Sequence, residues 1–187
     1  MDFIKYIEQQ SSISQATCSN LTKAIRRKTY VKKELILPVE NRSKQIYFLE
    51  EGIARVFYVV KEKDVTLHFL RENGIGFPVD SIFYNQICKF GIEALSSTNI
   101  VTLAYENWQE IAAKDLALQL FTQKLMIGYI KNATDRIYNL KFLTPQERFN
   151  SLISEFPSIF REVSSGHIAS YLGITQETLS RLRAKIK

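Results

Sequence analysis

Residues 164–187, SSGHIASYLGITQETLSRLRAKIK, constrain the fold more tightly than any other stretch of this 187-residue chain. Ala169 lies four residues before Gly173, and Leu179 six after it. A small residue at the first position lets two helices cross closely. A glycine supplies the positive φ of a sharp turn, and a branched apolar residue locks the second helix against the first. Ser164 or Ser165 can cap a short helix over 167–172, with Ile168 and Leu172 inward, and Thr175 can cap the next. Ile174 fits the angle between them. The spacing predicts a helix-turn-helix, and an ordinary helical hairpin is the plainer alternative.

The second helix carries four cations (Arg181, Arg183, Lys185, Lys187) against one acid, Glu177, while Leu179, Leu182 and Ile186 recur at three- and four-residue spacing. Gln176, Glu177, Ser180 and Arg181 share one outward face. Arginine forks onto guanine O6 and N7, and glutamate accepts from cytosine N4, so these four are the candidate readers of DNA bases. Thr175, Arg183, Lys185 and Lys187 are candidate phosphate contacts, or simply capping and solvated charge, and carry no sequence information. Glu177 and Arg181, four apart, are expected to touch and hold each other ready; the bland version is a surface pair worth a few tenths of a kcal/mol.

Upstream the hydrophobic period changes. Residues 1–28 read as helical from Phe3, Ile4, Ile7, Ile13, Leu21 and Ile25. Residues 30–105 read as short strands rich in aromatic and β-branched residues: 34–39, 45–50, 53–60, 65–70, 92–96 and 99–105. Turns at Glu51-Gly52, 61–64 and 73–76 separate them, which suits a small barrel, roll or sandwich. Helical periodicity returns over 108–143, where Met126, Ile130, Ala133, Ile137 and Leu140 step by four and three. Two readings stay open there: a helix packing on its own domain, or a seam for a second copy. Thr144 and Glu147 then form a capping box with Pro145 at the first helical position, opening a helix with Phe149, Leu152, Ile153 and Phe156 on its apolar face.

A net charge of +6 permits nucleic acid or an anionic surface as partner and proves neither. Cys18 and Cys88 are far apart, as are His68 and His167, so neither a disulfide framework nor a metal site is expected. No Ser/His/Asp set and no phosphate loop points to an enzyme. The N-terminus lacks the apolar run of a signal peptide, and no stretch approaches the ~18 apolar residues of a membrane span, which reads as an intracellular, soluble chain.

Strand-rich domain, long helix and terminal helix-turn-helix, in that order, resemble the Crp/Fnr family of bacterial transcription regulators across essentially the whole chain. IASYLGITQETLSRLR carries Glu177, Ser180 and Arg181 in the Glu-x-x-Ser-Arg arrangement of the Fnr-like recognition helix. The resemblance implies an α+β fold. Residues 1–110 would form an antiparallel β-roll sensor (a double-stranded β-helix like those that bind cyclic nucleotides), 111–143 a dimerisation helix and 144–187 a helix-turn-helix domain. It implies a cytoplasmic homodimer on inverted-repeat double-stranded DNA, Glu177 and Arg181 reading a TGA-containing half-site with Ser180 near a thymine, and RNA polymerase as a further partner. The chain stops soon after the recognition helix, so the family's wing hairpin is expected to be reduced or absent.

The sensory half departs from the family pattern. Pro78-Val79 stands where cyclic-AMP-binding members have Gly-Glu, and Lys89-Phe90 where they have Arg-Ser or Arg-Thr. Proline lacks a phosphate-facing N–H, valine cannot accept from a ribose hydroxyl, and lysine meets phosphate only as a point charge. The expectation is a degenerate effector pocket unresponsive to cyclic AMP. The N-terminal cysteine group of iron–sulfur members is absent, a haem on His68 is disfavoured, and no cofactor or effector is named by the sequence. The alternative of a different class is a ligand-binding signalling module whose helical tail docks a protein.

Overall fold

The computed structural model describes residues 1–185. Two four-stranded antiparallel sheets form the roll. One has the order β1-β8-β3-β6 and the other β2-β7-β4-β5, with β1 at Arg26–Tyr30, β2 at Leu35–Leu37, β3 at Gln45–Glu51, β4 at Ala54–Val60, β5 at Lys63–Leu70, β6 at Ile75–Gly76, β7 at Phe90–Ala94 and β8 at Thr98–Ala104. Strand alternation sends Tyr47 and Leu49 of β3 into the space between the sheets and Ile46 and Phe48 to the outer face. The β3–β4 turn needs Gly52, whose φ is +95° and where a Cβ would collide with the Ser97 carbonyl. At the β4–β5 hairpin Lys61 and Glu62 both take positive φ, so β5 starts at Lys63, two residues before the sequence expectation.

The N-terminal 28 residues do not stay helical. α1 (Phe3–Gln10) and α2 (Gln15–Ala24) are separate, because Ser14 turns out and caps α2 by accepting from Thr17 N–H. The chain then becomes extended as β1, where Arg26 pairs with Thr102 of β8. Phe3, Ile7 and Leu21 cover the outer face of the first sheet together with Trp108.

The helical stretch after the roll is also interrupted. α3 (Val79–Phe83) precedes β7; α4 (Tyr105–Ala112) follows β8; α5 (Leu116–Phe142) begins only after a break. Asp115 causes the break by capping α5, its Oδ1 accepting from the N–H groups of Ala117 and Leu118. Its other oxygen accepts from the Thr17 hydroxyl at 2.6 Å, tying α5 to α2. Ser14 N–H, donating to that same oxygen at 3.0 Å, and then the Thr17 hydroxyl do most to hold the Asp115 carboxyl at a pKa of about 2.

After α5, α6 (Pro145–Glu155) carries the full Thr144–Glu147 capping box. α7 (Ile159–Glu162), α8 (Ser165–Leu172) and α9 (Gln176–Ala184) complete the chain. Ser164 is the cap of α8, accepting from His167 N–H. Gly173 takes φ +65°, its N–H bonds the Ser170 carbonyl, and Ile174 N–H bonds the Ala169 carbonyl, which is a Schellman closure. The helical domain does not stand apart from the roll. Ile53, Phe69 and Leu95 share one buried cluster with Phe149, Ile159, Ile168 and Leu172.

Candidate nucleic-acid interface

α9 is fixed by its back. Leu179 and Leu182 are buried against the cluster that holds α8, and Thr175 accepts from Thr178 N–H at 3.2 Å to start the helix. Gln176, Glu177, Ser180 and Arg181 are all exposed on the opposite side. The four sequence-selected base readers therefore share one solvent face of a helix whose orientation the core determines.

Their mutual contacts differ from expectation. Glu177 and Arg181 form no ion pair; Arg181 Nη2 instead points to Thr178 Oγ1 at 3.5 Å. The helix start offers Glu177 better partners: the Thr175 hydroxyl, then its own backbone amide, then the Arg181 charge hold its carboxyl below the usual range. Arg183 stacks its guanidinium on the Phe160 ring at 4.2 Å, leaning back onto α7 while staying exposed. Lys185 is exposed just past α9; Lys187 lies outside the described residues.

α8 is pinned to the sheet. Thr66 N–H donates to the Ser170 hydroxyl at 2.9 Å, and the Phe69 and Tyr171 rings lie 5.1 Å apart. Arg148 donates to the carbonyls of Leu143 (2.6 Å) and Leu172 (2.9 Å), joining α6 to both neighbouring turns. Arg136 of α5 donates to the Tyr171 carbonyl and stacks on its ring at 4.0 Å. Burial first, and the Arg136 charge second, push His68 down to about 4, so its imidazole is neutral at pH 7. Beneath this joint Arg55, 3% exposed, is held by Asp64, by Glu93 at 2.6 Å and by the Thr66 hydroxyl at 3.1 Å. Sequence reasoning missed Arg55 and Arg136. Each is a charged residue at an otherwise apolar or helical position, and only the tertiary partners reveal its purpose.

The four pocket candidates have different surroundings. Pro78 is buried at the start of α3, and Val79 packs half-buried on the outer cluster. Lys89 and Phe90 alternate: Lys89 faces solvent, while Phe90 enters the roll and meets Tyr58 edge-on with centroids 6.2 Å apart. Tyr30, Tyr47, Val56, Cys88 and Ile92 occupy the same interior, and the Tyr47 hydroxyl is engaged by Ser43 at 2.8 Å.

The helical seam is only partly as expected. Ile130 (64% exposed), Ala133 and Ile137 (59%) face solvent. Met126 instead packs half-buried against its own body, because α4 lies alongside it, and Ile127 at 67% exposure takes the outward place. Leu140 approaches the helix-turn-helix, its Cδ2 lying 3.5 Å from where a Cβ on Gly173 would be.

No protein-family model matches the chain. It is 25% identical over 175 residues to the fumarate and nitrate reduction regulatory protein of Yersinia pestis, covering 87% of this chain and 69% of that one. The counterpart in Escherichia coli K12 is 24% identical with the same coverage. Among solved structures, FixK2 from Bradyrhizobium japonicum superimposes with a TM-score of 0.74 at 19% identity, over 87% of this chain and 84% of FixK2. A mutant of CooA from Carboxydothermus hydrogenoformans gives 0.70 at 20% identity, over 88% and 77%. A Crp/Fnr-family protein from Eubacterium rectale gives 0.71 at 17% identity, over 91% and 82%. These likenesses span roll, long helix and helix-turn-helix together.

Proposed function

We propose that this chain, a Crp/Fnr-family regulator in sequence and fold, is a cytoplasmic homodimer that reads inverted-repeat DNA through α9 and does not respond to cyclic AMP. One observation carries the reading: Gln176, Glu177, Ser180 and Arg181 are exposed together on one face of a helix whose back is locked by Leu179 and Leu182. A recognition helix needs that combination, since its outward side chains must reach base edges while its back stays fixed to the domain. Two such helices related by a two-fold axis fit half-sites about one helical turn apart. RNA polymerase is the further partner expected of a protein that regulates transcription.

The two-fold is assigned to α5, where Leu120, Ile127, Ile130 and Ile137 make an exposed apolar stripe at coiled-coil spacing. Ile130→Glu and Ile137→Glu should each sediment as monomers at micromolar concentration; a dimer in both variants would move the seam elsewhere. Cyclic AMP insensitivity follows from Phe90 and Tyr58 filling the roll and from Lys89 facing outward. Calorimetric titration should give no heat of binding. The reading as a whole is tested by selecting bound duplexes from a random pool. A palindromic TGA-containing consensus is expected, and no enrichment would favour a helical tail that docks protein.

A further inference from the structure

We propose that Arg136 is a positioning residue for DNA reading: it fixes the turn between α8 and α9 to α5, and so sets the half-site spacing that a pair of α9 helices accepts. This role rests on the DNA-binding dimer proposed above and concerns the distance between the two readers, not the bases that each one reads.

Two cations and a leucine converge on the last turn of α8. Arg136 of α5 donates to the Tyr171 carbonyl and stacks on the Tyr171 ring at 4.0 Å. Arg148 of α6 donates to the Leu172 carbonyl at 2.9 Å. Leu140, one turn of α5 after Arg136, brings its Cδ2 to 3.5 Å from where a Cβ on Gly173 would stand. The last carbonyls of a helix lack partners within it and carry partial negative charge, so cations there satisfy them and hold the helix end. Gly173 closes α8, and α9 starts at Gln176. Whatever holds that turn aims α9.

The other end of the link is the exposed stripe of α5. Ile137 follows Arg136 directly and faces solvent. Successive residues of an α-helix point about 100° apart. The same turn of α5 therefore offers Ile137 to a second copy and Arg136 to its own helix-turn-helix.

Stability does not account for the residue. None of the ion pairs among the described residues includes Arg136. Its Nε is buried without a hydrogen-bond partner. Burial is the chief reason its pKa falls below the ordinary arginine value, and the Arg148 charge pushes the same way. A buried guanidinium without a counter-charge is destabilising, and an apolar side chain of similar length would fill the space with less penalty. What arginine supplies is direction. A planar group that donates to a carbonyl and stacks on the ring of the same residue is held in one orientation, which neither lysine nor methionine reproduces.

The full chain is titrated with palindromic duplexes that share one selected half-site and differ in spacer length, to about two base pairs either side of the preferred spacing. One base pair shifts a half-site by about 3.4 Å and turns it by about 34°. Wild type should favour one spacing about tenfold over its neighbours, the scale of one mismatched base pair. Arg136→Met should flatten that preference to about threefold or less, keep the same half-site consensus and melt no lower than wild type. Arg136→Lys, which keeps the charge without the planar stack, should flatten it by less. If Arg136→Met melts lower and loses affinity equally at every spacing, Arg136 is only structural and the proposal is overturned. A spacing profile unchanged in both variants would overturn it too. A wild type indifferent to spacing would overturn it while leaving the recognition helix intact. A wild type that binds none of the duplexes would overturn the DNA-binding reading and this proposal together.

Discussion

The reading helix and the interior of the roll have kept opposite things. α9 keeps a polar face exposed: Gln176, Glu177, Ser180 and Arg181 outward, no ion pair between Glu177 and Arg181, the back sealed by leucines. The roll fills what it encloses, with Phe90, Tyr58 and Tyr47 packed together between the sheets. The difference teaches that output chemistry and input chemistry are separable in this fold. A packed interior needs only matched volume, whereas an exposed polar face is defined by its particular donors and acceptors.

The comparison can be broken most strongly at Phe90. If the roll is a packed core, Phe90→Ala should cost about 3–5 kcal/mol in urea-unfolding free energy. A cost below about 1 kcal/mol would mean a loose interior with room for a ligand. The joint between the two regions comes next. His68 is neutral in the folded protein, with a pKa of about 4, and would titrate near 6.5 when unfolded. Stability is therefore complete above pH 6.5 and falls as pH drops from 6.5 toward 4, by at most about 3 kcal/mol. His68→Gln should flatten that part of the pH profile of the melting temperature.

Arg181→Ala should then cost about 1–3 kcal/mol on the preferred site and relax the choice of guanine at one half-site position. Unchanged preference in binding competitions would remove α9 as the reader. Lys185→Ala should have the smallest effect, weakening all sequences alike and lowering the salt slope by roughly one unit.

The helix-turn-helix was legible almost residue by residue, because its requirements are local: a small residue, a left-handed glycine and two hydroxyl caps, each at a fixed offset. The strands were legible for a similar reason, since alternation and turn residues lie within a few positions of one another. What failed was decided from a distance. Asp115, which caps α5 locally, is also tied to Ser14 and Thr17 about 100 residues away, a link that spacing alone does not announce. Arg26–Tyr30 became a strand because β8 lay beside it. Met126 turned inward because α4 covers that side of α5. The stacking of Arg183 on the Phe160 ring was equally invisible in the sequence. Apolar spacing fixes a periodicity, and the choice of which face it serves belongs to the neighbours.

Ile53, Phe69 and Leu95 complete the same buried cluster as Ile168 and Leu172. A fragment beginning at Thr144 would leave one wall of that cluster in water, so the helices should not melt as an autonomous unit. Heat should disassemble strands and helices in a single transition. Damage to the roll would then unseat α9 without touching a residue on its exposed face, and whatever α9 does also depends on Phe69.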